Sequence, residues 1–227
     1  MAKRISYKAK NGDTLEGEIA LPPGSGKAPA VVVVQEWWGV NDHIRSLVDR
    51  FAAAGFVAFA PDLYHGTVVK AGDADTAMKQ VMALDKAKAV GEIGDAVALL
   101  AAHERSTGKV GVTGFCVGGA LTFAAAAKVP GIAAVVPFYG VPPIPFESFA
   151  SVKVPILAHF AKHDDHAKPS SAEEIKQIVT KGGGSMELHV YDAQHAFAND
   201  TRPEVYDENS AKLAWDRTIA FFEKHLA

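Results

Sequence analysis

The chain has one cysteine among its 227 residues. It can close no disulfide on itself, which excludes a disulfide-stapled scaffold and fits a reducing compartment. It has no apolar run approaching the roughly 20 residues of a membrane-spanning helix. Its formal net charge is only −3, without the clustered basic face that a general nucleic-acid surface needs. No secretory leader is expected either. Met1-Ala2-Lys3-Arg4-Ile5 starts basic, but Ser6, Tyr7, Lys8 and Lys10 stand where an apolar leader core would follow. These absences predict a cytoplasmic protein with neither a nucleic-acid nor a membrane partner.

The length suits one α/β domain spanning residues 1–227. Two short segments, 5–9 and 14–21, flank the hairpin signal Asn11-Gly12-Asp13. A run of β-branched residues at 30–34 is too short for a helix and reads as a strand buried on both faces. Further strands are expected at 56–60, 109–113, 132–137, 155–160 and 186–191. Helical spacing covers 42–54, 76–87, 90–103, 120–128, 171–181 and 208–225, and Gly55 ends the first of these. Strand alternating with helix predicts a doubly wound, mostly parallel sheet with helices on both faces and no large cap domain. Ligands of such sheets bind beyond the carboxyl ends of the strands, so residues that directly follow strands are the candidates for chemistry.

The sharpest of these is Gly114-Phe115-Cys116-Val117-Gly118. It lies between a strand and a helix and has the G-x-S-x-G nucleophile-elbow pattern with cysteine in place of serine. The turn is tight, so its neighbours must be small. It exposes the sulfur at a helix N-terminus, which favours negative charge, and aims the Val117 N–H at a developing oxyanion. A nucleophile needs a base, and the base an orienter, in the chain order nucleophile, acid, histidine. His195 follows the strand at 186–191, and Asp164 and Asp165 follow the strand at 155–160. The residues alone leave the choice of acid open. His159, His163 and His166 also fall in that segment, but zinc would need three or four convergent ligands, and no metal is expected. Glu36 directly follows the strand at 30–34, close enough in the fold to accept or hold the thiol proton. Trp37 stands where a second oxyanion N–H is commonly supplied.

At these residues the sequence resembles the dienelactone hydrolase family, of α/β-hydrolase fold, over nearly its whole length. The matching stretches are Gln35-Glu36-Trp37-Trp38-Gly39-Val40-Asn41, Pro61-Asp62-Leu63-Tyr64, Gly114-Phe115-Cys116-Val117-Gly118-Gly119, Tyr139-Gly140-Val141, Asp165 with Pro169, and His195-Ala196-Phe197. The resemblance implies a Cys116–His195–Asp165 triad, a resting contact between Glu36 and the thiol, and an oxyanion hole from the Trp37 and Val117 amides. It implies hydrolysis of a small-molecule ester or lactone of the dienelactone type, as by a carboxymethylenebutenolidase, without a cofactor. Tyr139, Asn199 and Arg202 are the expected substrate-binding residues. Asn199 stands where dienelactone-cleaving members carry an arginine for the substrate carboxylate, and no arginine lies between His65 and Glu104. Arg202 is the candidate replacement. The competing readings are a general carboxylesterase or thioesterase on the same site, and a non-catalytic redox sensor built on Cys116.

Overall fold

The computed structural model describes residues 1–227. Eight strands form one sheet: β1 Lys3–Lys8, β2 Thr14–Ala20, β3 Ala28–Val34, β4 Val57–Pro61, β5 Ser106–Phe115, β6 Ile132–Phe138, β7 Ile156–His163 and β8 Met186–Gln194. Their order is β1-β2-β4-β3-β5-β6-β7-β8. The β1–β2 hairpin and the β2–β4 pair are antiparallel, and every other pairing is parallel. The doubly wound, mostly parallel sheet expected from the alternation is therefore the one found, in the α/β-hydrolase arrangement that the resemblance implies.

The all-apolar strands lie at the centre. Val31 to Val34 on β3 and Val57 to Ala60 on β4 have no exposed surface, because helices cover both faces of a parallel sheet. The helices are α1 Asp42–Ala53, α2 Ala74–Ala83, α3 Lys86–Ala102, α4 Val117–Lys128, α5 Pro169–Lys181 and α6 Glu208–Leu226. A core of 62 buried residues unites sheet and helices, and α2 stands apart from it. Its one buried residue, Ala77, joins Trp38 and Val69 in a separate small cluster against Trp37.

Several boundaries depart from the periodicity, each for a local reason. The break between α2 and α3 falls at Leu84-Asp85 because the Asp85 carboxylate accepts the Lys88 N–H and starts a new helix there. Asp73 does the same for Thr76, drawing Ala74 and Asp75 into α2. β5 runs on to Phe115 and α4 begins at Val117, so a single residue, Cys116, makes the whole turn. A short 3-10 turn at Phe146–Ser151 has no apolar period of its own to announce it.

Candidate active site

The carboxyl ends of β3, β5, β6, β7 and β8 converge on a cavity of about 590 Å³, within the range of small-molecule sites. Trp37, Val81, Leu121, Val141, Pro143 and Val205 give it an apolar wall, and Glu36, Lys86, Cys116, His195 and Arg202 supply polar groups. Another hollow, of about 490 Å³, lies between the β1–β2 hairpin and α3; it is lined by Lys10, Asp13, Lys88 and Asp95 and contains no nucleophile.

Cys116 has φ 58° and ψ −117°, a left-handed conformation that costs a non-glycine residue energy. The surrounding backbone holds it there: its N–H donates to Phe138 O at 3.2 Å, and its carbonyl accepts from Ala120 N at 3.1 Å. The elbow glycines are required by close approach. A Cβ on Gly118 would lie 2.4 Å from Gln35 O and 2.5 Å from Val34 O, and one on Gly114 would lie 2.3 Å from Gly118 O. Three of the four non-glycine residues with positive φ, Cys116, Tyr139 and Ala196, are cavity residues. Backbone strain is thus concentrated around this cavity.

His195 follows β8. Its Nδ1 donates to Asp164 Oδ2 at 2.6 Å, which fixes the tautomer and leaves Nε2 for the cavity. Burial by itself lowers the basicity of this imidazole. Its bonds and charge interactions with Asp164 and Cys116 outweigh that and raise its pKa to about 10. The carboxylate on His195 is therefore Asp164, correcting the expectation of Asp165. Asp164 is the first residue past β7 and turns inward. Its Oδ1 accepts the N–H groups of His166 and Ala167, both at 2.8 Å. Burial pushes its carboxyl up, but the His195 bond and these two amides prevail and hold it below the ordinary carboxylate range. Asp165, one residue on, is exposed at the cavity rim. The available sequence signal was the turn itself, in which an aspartate accepts from amides two and three residues ahead.

Glu36 is 2% exposed and does not hold the thiol, contrary to expectation. Its Oε2 accepts from Asn199 Nδ2 at 2.7 Å, and its Oε1 has no partner. Asn199 is 1% exposed and absent from the cavity lining, which corrects its assignment to substrate binding. Tyr139 lies behind His195, with ring centroids 5.1 Å apart. Burial first, then the nearby Glu36 and Cys116 charges, push its phenol well above the usual range. Arg202 reaches the cavity while its Nε donates to the exposed Glu204 at 2.8 Å. Trp37 and Val117 both line the cavity beside Cys116, and neither backbone N–H has a backbone acceptor among the turn and loop bonds. The three histidines considered for a metal go separate ways. His159 is fully buried against Tyr191 and Thr218, His163 bonds to Asp192, and His166 meets the ring of His195 edge-on. No helix is long and apolar enough to cross a membrane.

Residues 15–226 match the model of the dienelactone hydrolase family. The chain is 40% identical to Protein usf of Aquifex pyrophilus, with the whole of both chains aligned. It is 36% identical, again over both full lengths, to an Aquifex aeolicus protein provisionally named a carboxymethylenebutenolidase. The crystal structure of a provisionally named dienelactone hydrolase from Klebsiella pneumoniae superimposes with a TM-score of 0.88 at 30% identity, covering 98% of each chain. A dienelactone hydrolase-like promiscuous phosphotriesterase from metagenomic libraries shares the fold, with a TM-score of 0.87 at 22% identity over 100% of this chain and 99% of its own.

Proposed function

The chain belongs to the dienelactone hydrolase family and is a hydrolase of ester or lactone bonds, and from that premise we propose that it works through a Cys116–His195–Asp164 triad and a thioester intermediate, with residues 1–227 acting as one catalytic unit. The observation that carries this reading is the short Asp164–His195 hydrogen bond, on a ring that lines the same cavity as Cys116.

The sulfur of Cys116, its proton transferred to His195 Nε2, attacks the carbonyl carbon. The resulting oxyanion is received by the Trp37 and Val117 amides. Collapse of the adduct breaks the bond to the leaving oxygen, which takes its proton from His195. The neutral imidazole then removes a proton from water as the water attacks the thioester, releasing the acid and regenerating the thiolate–imidazolium pair. Asp164 holds the imidazole in one tautomer and stabilises its cation throughout. A thiolate is a good leaving group, so adducts with poor leaving groups revert to substrate. Enol lactones and aryl esters therefore suit this site better than amides.

The apolar wall supports a second, broader reading of specificity, a general carboxylesterase that accepts neutral esters. The deciding experiment compares a dienelactone with p-nitrophenyl esters on the wild type and on Cys116→Ala. A loss on the order of 10⁴-fold or more in the variant is expected. Near-normal turnover by Cys116→Ala would overturn the mechanism, and the ratio of wild-type rates separates the two substrate classes.

A further inference from the structure

A buried carboxylate beside a nucleophilic thiol can obstruct catalysis. In a low-dielectric cavity an ionised carboxylate takes whatever hydrogen-bond donor it can reach. The S–H of Cys116 is such a donor, and a thiol held by Glu36 is not delivered to His195. Where Glu36 rests therefore matters, and the structure shows what sets it. Asn199 Nδ2 donates to Glu36 Oε2 at 2.7 Å, with both side chains buried. The amide cannot turn over freely, because its Oδ1 accepts the Thr201 N–H at 3.0 Å and the Thr201 hydroxyl at 2.7 Å. With the oxygen end occupied, the NH₂ end must face Glu36.

We infer that Asn199 is a positioning residue that pins Glu36 off Cys116, leaving the thiol to His195 before any substrate arrives. The inference rests on Cys116 being the nucleophile and concerns the resting enzyme rather than the bond-making steps. It departs from the family expectation in two ways. The position that would carry a substrate-binding arginine holds a neutral amide directed at Glu36, and the expected resting contact between Glu36 and the thiol is not formed. The pin is a single hydrogen bond. Glu36 Oε1 and the neighbouring Tyr139 hydroxyl are both buried and unpartnered, so the bond from Asn199 is the one hydrogen bond that the Glu36 carboxylate makes.

The test is the rate at which iodoacetamide alkylates the only cysteine, read by mass spectrometry at pH 7. Asn199→Ala should slow alkylation about tenfold by releasing Glu36 towards the S–H. The double variant Asn199→Ala with Glu36→Gln should return to within about twofold of wild type, since the roaming carboxylate is gone. An Asn199→Ala rate equal to wild type overturns the inference. So does a slow rate that Glu36→Gln fails to rescue, because the defect would then be structural. If Asn199→Ala does not fold, Thr201→Val carries the test. It removes one of the two donors that orient the amide and should slow alkylation two- to threefold, again with rescue by Glu36→Gln; an unchanged rate overturns the inference. Alkylation requires no turnover. A wild type that alkylates readily but hydrolyses no ester would defeat the hydrolytic mechanism while leaving this measurement interpretable.

Discussion

Asp164 Oδ2 accepts the Nδ1–H of His195 at 2.6 Å, while the adjacent Asp165 faces solvent at the rim of the same cavity. Two neighbouring carboxylates thus have opposite surroundings, and only one orients His195. Asp164→Asn should lower kcat by about 10³- to 10⁴-fold through loss of the tautomer lock. Asp165→Asn should change it by no more than about threefold. Steady-state hydrolysis of p-nitrophenyl acetate by the two variants checks the assignment, and the reverse order of severity would return the role to Asp165.

His195 also makes stability depend on pH in a definite direction. Its pKa is raised from an ordinary 6.5 to about 10 in the folded chain, so between those values the native state binds more protons than the unfolded state. Stability from this group is fully present below about pH 6.5 and is lost as pH rises through 10. Urea unfolding of wild type and His195→Gln at pH 6, 8 and 10 should show the wild-type advantage shrinking at each step. An advantage that grows with pH would contradict the ion-pair description of the site.

The elbow should tolerate no side chain at Gly118. A methyl group there meets two backbone carbonyls of the β3 exit at 2.4 and 2.5 Å, and neither can move without displacing Glu36 and Trp37. Gly118→Ala should destabilise the protein by about 3 kcal/mol or more and abolish hydrolysis. A folded, active variant with an unshifted thermal midpoint would show that the turn can relax around a methyl group.

Helix α2 should be the least protected helix in amide exchange. It buries only Ala77 and leaves Met78 and Met82 exposed, although Val81 and Met78 form part of the cavity wall. Few buried contacts imply low local opening free energy. Hydrogen-exchange mass spectrometry should find its amides exchanging well before those of α3 and α4, and equal protection would place α2 within the main cooperative core.

Arg202 provides a test of substrate charge. Its only side-chain hydrogen bond is to the exposed Glu204, a surface pairing worth little, so the rest of its guanidinium remains available to an anion at the cavity. Arg202→Ala should raise KM about tenfold for esters bearing a carboxylate and leave neutral esters within about twofold. Equal effects on both classes would remove that role.

The sequence by itself determined the architecture and the location of the candidate site. Eight strands and six helices were legible because a strand buried on both faces must be uniformly apolar, and a helix packed on a sheet must repeat at its own period. Cys116 and His195 were legible because each directly follows a strand, and the elbow glycines record a backbone approach that admits nothing larger. Tertiary structure decided which of two adjacent aspartates turns inward, because that depends on where β7 ends and which amides lie ahead of it. It also decided what Glu36 and Asn199 do. These residues are 163 positions apart in the chain, no local pattern couples them, and only the assembled sheet brings the β3 and β8 exits together. The outcome is a hydrogen bond between two buried polar groups, whose existence depends on their mutual geometry rather than on either residue's type.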